Sequence, residues 1–152
     1  MGLPRVNLIL HVVYFCSNSR LDRGVFLEYI EFGELSYESK CAVLLYFGYD
    51  VGDFGREDIS ETYEFEYRVE MVPMDEAKHR CMSFPFDAGE FDSFDEYHAW
   101  YMECPVEDHG DSVFPVIEWN HDEWLYDGWH RFHSYVRRGF DEIPVLTIRR
   151  KF

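Results

Sequence analysis

The chain has 152 residues, 47% of them hydrophobic and 19% aromatic, enough to pack one core and to exclude wholesale disorder. Asp and Glu number 30 against 14 Lys and Arg, a formal net charge of −16 at pH 7. A duplex-DNA binder neutralises phosphates with a basic face, so direct DNA binding is not expected, and a nucleotide or a basic protein remains open as partner.

Val6 to Phe15, rich in Val, Ile and Leu, reads as a buried strand. Asn7 and His11 interrupt the apolar run, which falls far short of the ~20 residues of a membrane span. Only Arg5 precedes it and no small-residue cleavage site follows, so it does not read as a signal peptide and a cytoplasmic location is expected. Cys16, Cys41, Cys81 and Cys104 lie far apart without C-x-x-C spacing and read as buried free thiols. Val25 to Phe32 fits a strand or a short helix. Ser36 is placed to cap a helix over Tyr37 to Phe47 that Gly48 stops. Gly48, Gly52 and Gly55 then punctuate a loop with no strong helix after it, so their spacing is not a dinucleotide fingerprint. This loop separates an N-terminal extension, residues 1–60, from a domain at 61–152.

Glu64 to Val72 alternates cleanly, with Phe65, Tyr67, Val69 and Met71 expected inward and Glu64, Glu66, Arg68 and Glu70 outward. Pro73 ends this strand, and Asp75 to Arg80 reads as a short helix. Ser93 precedes a helix over Phe94 to Glu103, ended by Pro105. The loop Glu107 to Ser112 leads to a strand, Val113 to Trp119, a turn at Asn120-His121-Asp122 and a short strand, Glu123 to Tyr126. Gly128 opens a helix from about Trp129 to Arg138, Gly139 stops it, and Ile143 to Ile148 is the last strand.

A glycine at a strand-to-helix junction lets backbone N–H groups approach an anion, and the helix start adds unpaired donors and the positive end of its dipole. His130 and Arg131, in the first turn, add side-chain donors. The pattern predicts a phosphate or carboxylate site, although an arginine at a helix start also serves simply as a solvated or Asp-paired side chain. His130 and His133 stand three apart and admit a metal reading with Asp127 or Glu123, or a surface role. The aromatic residues Trp119, Trp124, Tyr126 and Trp129 serve as core, or as a stacking surface for a base at Trp124 or Trp129. Glu103, Glu107, Asp108 and Asp111 with His109 read as solvated surface or as a divalent-cation loop.

Pro115-Val116-Ile117, Gly128-Trp129-His130-Arg131, Gly139 and Ile143-Pro144-Val145 follow one another in the order and spacing of a known pattern. On them the chain resembles the ParB/sulfiredoxin-like superfamily, over roughly residues 61–152 and most strongly over 113–148. The resemblance implies an α+β fold: a small mixed sheet flanked by helices, preceded here by an N-terminal α/β extension. It implies a nucleotide site, CTP in the partition proteins and ATP in sulfiredoxins and free-serine kinases. Gly128, Trp129, His130 and Arg131 would cradle the phosphates, and Asp127 or Glu123 would act as base or Mg²⁺ contact in phosphoryl transfer or hydrolysis. Trp129 stands where sulfiredoxin chemistry requires a cysteine, so reductase activity is not implied.

The charge suggests a different class of function. Residues 61–126 hold 18 acidic and 3 basic residues, whereas 127–152 hold 3 acidic and 6 basic ones. Carboxylates such as Glu90, Asp92, Asp95 and Glu96 would present an acidic face that imitates DNA. A phage or mobile-element inhibitor of restriction or CRISPR type uses such a face to bind a basic nucleic-acid-binding protein without catalysis. Acidic surfaces also serve solubility alone.

Overall fold

The computed structural model describes residues 28–50, 59–83, 87–103, 113–120 and 124–152. The strand expected at Val6–Phe15, the loop Glu107–Ser112, Gly52, Gly55, Glu123, Cys16 and Cys104 lie outside the described residues.

Helix α1, Tyr37–Tyr46, starts where the Ser36 hydroxyl accepts the Ser39 N–H at 3.2 Å. It ends at Gly48, whose φ of 80° is open to glycine at no steric cost. There the Gly48 and Tyr49 N–H groups turn back onto the Leu45 and Leu44 carbonyls, satisfying the helix's last acceptors. Upstream, Ile30 forms a single antiparallel bridge with Tyr67, and Phe32–Glu34 makes one 3₁₀ turn. Of the segment Val25 to Phe32, read as strand or helix, residues 25–27 lie outside the described residues, Ile30 makes the bridge, and the 3₁₀ turn begins only at its last residue.

Strand β1, Phe65–Pro73, leads directly into helix α2, Met74–Met82. A 3₁₀ turn at Asp87–Glu90 precedes helix α3, Phe94–Met102, whose Ser93 cap accepts the Glu96 N–H at 3.3 Å. Strand β2 is Val116–Trp119, helix α4 is Trp129–Arg138, and strand β3 is Glu142–Arg150. The fold is α+β, with a mixed sheet in the order β1-β3-β2. β1 pairs antiparallel with β3, and β2 pairs parallel with it over Val145 to Ile148. Pro144 sits one residue before that parallel pairing begins, so its missing N–H removes no ladder bond on the β2 side. Of the expected strand Glu123–Tyr126, the described residues 124–126 form no strand and are followed by one bridge, Ile117 with Asp127, while Val113 to Pro115 precede β2 rather than belong to it.

The sheet is covered on both faces. Leu35, Ala42 and Val43 pack on Tyr67, Ile117, Leu146 and Ile148, so α1 and the turn before it form one layer. On the other face α2, α3 and α4 bring Ala77, Cys81, Tyr97, Phe132 and Tyr135 onto Val72, Val116, Ile143 and Val145. This two-sided burial corrects the one-sided reading of β1. Tyr67 is fully buried as expected, but Met71 is exposed and Val72, on the opposite face, is buried. Cys41 and Cys81 are buried free thiols, and burial raises the Cys81 thiol to about 12. Among the described residues no helix is long and apolar enough to cross a membrane.

Candidate functional site

The connection from β2 to α4 is fixed by β2 itself. Ile117 donates its N–H to the Asp127 carbonyl at 3.0 Å, and its own carbonyl accepts the Tyr126 N–H at 2.8 Å. Asp127 is therefore held one residue ahead of Gly128, which takes φ 86°, ψ 26° as the cap of α4. The first ladder bond runs from the Phe132 N–H to the Gly128 carbonyl at 2.8 Å, and no side chain caps the first-turn donors from Gly128. Phe132, fully buried between α3 and the sheet, anchors that turn.

Arg131 does not reach outward as a first-turn arginine is expected to. Its side chain is 9% exposed and folds back beneath Gly128. A Cβ at position 128 would stand 2.7 Å from Nη2 and 2.8 Å from Nε. A side chain there would push the guanidinium aside, and the positive φ by itself already favours glycine. Nη2 donates to Asp127 Oδ2 at 3.1 Å, whereas Nη1 is buried and finds no hydrogen-bond partner among the described residues. Burial lowers the Arg131 pKa from its ordinary value, with the Asp127 charge opposing.

A surface pocket of about 350 Å³ opens here, lined by the run Asp127–Arg131 together with Leu45 of α1 and Phe114. Asp127, Gly128, Trp129, His130 and Arg131 thus lie around one space, and among the described residues Asp127 is the one acid in its lining. His130 is exposed, its ring edge-on to Tyr101 at 5.0 Å. Leu45 and Phe114 carried no sequence signal, because their place at the pocket depends on how α1 docks. Trp124 is not part of the lining; its ring lies 6.3 Å from that of Tyr126.

The remaining candidates fall elsewhere. His133 is fully buried, its ring stacked on Tyr101 at 4.0 Å and its Nδ1 2.7 Å from His98 Nδ1. Burial, reinforced by the charges of His98 and His130, lowers its pKa to about 3. Among the described residues its one polar contact is the His98 imidazole, and its other neighbours are aromatic rings. Among the described residues no three His, Cys, Asp or Glu side chains are grouped to hold a metal ion. Glu90, Asp92, Asp95 and Glu96 are exposed around the start of α3. Asp95 and Glu96 occupy the first helical turn, where the dipole favours acids, and Glu96 Oε2 accepts the Asp92 N–H at 3.3 Å. These two acids therefore have a local structural use.

A second charged cluster escaped the sequence reading. Glu118, 1% exposed on β2, accepts from Arg80 Nη1 at 2.9 Å and from Thr147 Oγ1 at 2.7 Å. Its signal was a lone acid inside the apolar run Val116-Ile117-Glu118-Trp119, which demands a buried partner. No protein-family model matches the chain, and no curated protein or solved structure matches it either.

Proposed function

We propose that the chain binds a nucleoside triphosphate, ATP or CTP with Mg²⁺, with the phosphates at the start of α4, and that it uses this site for phosphoryl transfer or hydrolysis. The observation that carries the reading is the Arg131 guanidinium, nine-tenths buried in the pocket lining, whose Nη1 is closed off from solvent and has no acceptor among the described residues, so that a phosphate oxygen would meet it by drawing the side chain towards the pocket. A purely structural arginine would be expected to complete its hydrogen bonds within the chain, since a buried unpaired donor costs on the order of 1–3 kcal/mol. A phosphate oxygen is the acceptor that a planar guanidinium fits best, and the helix start supplies further donors around it. Mg²⁺ keeps most of its ligands from phosphates and water and needs only one or two carboxylates, a requirement Asp127 meets. Asp127, in the pocket lining, would also orient a nucleophile beside the phosphates, and Glu123 lies outside the described residues.

Thermal unfolding with ATP, CTP, GTP or inorganic phosphate, each with and without Mg²⁺, tests the reading. A ligand at 100 times its Kd adds about 2.7 kcal/mol to the stability of the folded state. A shift with ATP or CTP that is lost in Arg131→Ala and weakened in Arg131→Lys is the expected result. No shift with any of the four ligands overturns the reading and turns attention to basic nucleic-acid-binding proteins as partners of the acidic stretch 90–96.

A further inference from the structure

The pocket has two kinds of wall. One is the polar run at the start of α4; the other is apolar and comes from elsewhere in the chain. Leu45, on α1, is 48% exposed, and it is the one exposed large aliphatic side chain among the described residues that lines the pocket. Phe114, just before β2, supplies a ring, and Trp129 supplies another. Phe114 is fixed relative to the phosphate seat, because its carbonyl accepts the Tyr135 hydroxyl at 2.6 Å. Tyr135 is buried on α4 one turn beyond Arg131, so the same helix holds the guanidinium and ties down the apolar wall.

We infer that Leu45 and Phe114, with Trp129, form the nucleobase subsite of this pocket, and that Leu45 is a specificity-determining residue contributed by the N-terminal layer. The inference rests on the phosphate reading above and deepens it. An anion alone has no use for an exposed leucine sharing the pocket with two aromatic rings, whereas a flat base is held by an aromatic face and an aliphatic edge. A pocket of about 350 Å³ stands near the lower end of the roughly 300–1,000 Å³ spanned by small-molecule sites, which suits one mononucleotide.

The test compares Mg²⁺-ATP and Mg²⁺-CTP with Mg²⁺-tripolyphosphate by calorimetric titration of the full chain. Wild-type protein is expected to bind at least one of the nucleotides about tenfold or more tighter than tripolyphosphate, the added burial of a base being the difference. Leu45→Ala, half-exposed and so without a core to disturb, should weaken that nucleotide roughly threefold to tenfold and leave tripolyphosphate unchanged. Phe114→Leu, which keeps the volume but not the ring, should move the two probes in the same selective way. Equal affinity for nucleotides and tripolyphosphate overturns the base subsite and leaves the phosphate reading standing. Equal weakening of both probes by Leu45→Ala overturns it as well. Binding of none of the three probes removes both readings together.

Discussion

Two arginines sit at nearly the same depth in this molecule and are treated in opposite ways. Arg80, on α2, has a side chain 13% exposed; Arg131, on α4, has one 9% exposed. Arg80 meets three carboxylates: Glu118 at 2.9 Å, Glu70 at 3.2 Å and Glu76 at 2.6 Å. Glu118 is in turn completed by Thr147. Burial pulls the Arg80 pKa down, but Glu76, Glu118 and Glu70 outweigh it and the net direction is up. Arg131 meets one carboxylate, on a side chain that is itself 42% exposed, and there burial prevails. A buried charge compensated by its own chain stabilises the fold it belongs to. A buried charge left short of a partner is held by the fold at a cost, which is the premise of the proposed phosphate site.

The largest effect that follows belongs to the compensated arginine. Arg80→Met, close in length but neutral, leaves Glu118 buried with only a threonine, and breaking a buried pair from one side costs about 3–5 kcal/mol. Urea unfolding should show that loss in the midpoint with little change of slope. Phosphate or nucleotide binding by the surviving folded protein should be unaffected, since Arg80 does not line the pocket. A loss below about 1 kcal/mol would mean that the network is exposed to water in solution, and the contrast between the two arginines would collapse.

His133 extends the series to a group with no carboxylate beside it among the described residues. Its neighbours are the rings of Phe94, Tyr97, Tyr101, His98 and His130, drawn from α3 and α4. The charged groups beyond, around His98, are Lys78, Asp95 and Arg137. With no compensation available, the folded state keeps the imidazole neutral down to about pH 3. The unfolded chain takes up that proton below about pH 6.5, so the stability is full above 6.5 and falls as the pH drops from there towards 3. At pH 5 the loss amounts to about 2 kcal/mol. Denaturation profiles from pH 8 to 4.5 should be steeper for wild type than for His133→Phe, and parallel profiles would remove the argument.

The sequence was most legible where structure is written locally. Ser36 and Ser93 cap their helices and Gly48 and Gly139 close theirs, because a hydroxyl beside an N–H or a glycine at positive φ needs only its immediate neighbours. Legibility failed wherever docking decides. The alternation in β1 gave a correct strand and half of its burial, since nothing in that stretch tells that α2 will cover Val72. Arg131 was recognisable as a first-turn arginine, but its retreat beneath Gly128 depends on the space that α4 leaves against the sheet. Leu45 is anonymous in its helix and acquires a role only through what faces it. His130 and His133 share a helical spacing that invites a shared ligand, yet one is exposed and the other fully buried.

The smallest stability effect is the most informative one. Arg131→Met removes a guanidinium that satisfies no buried acid, because its partner Asp127 can hydrate once released. Methionine fills the same slot beneath Gly128 without a buried donor lacking its acceptor. The unfolding free energy should therefore change by less than about 1 kcal/mol, in either direction. Yet the same substitution should abolish the nucleotide-induced shift, since the charge that a phosphate would neutralise is gone. Identical chemistry at Arg80 costs several times more and leaves binding intact, so the two variants exchange their effects on stability and on affinity. A drop of about 3 kcal/mol at Arg131 would instead place this guanidinium among the structural ones. The pocket would then need another anchor for an anion, and His130, exposed on its rim, would be the residue left to provide it.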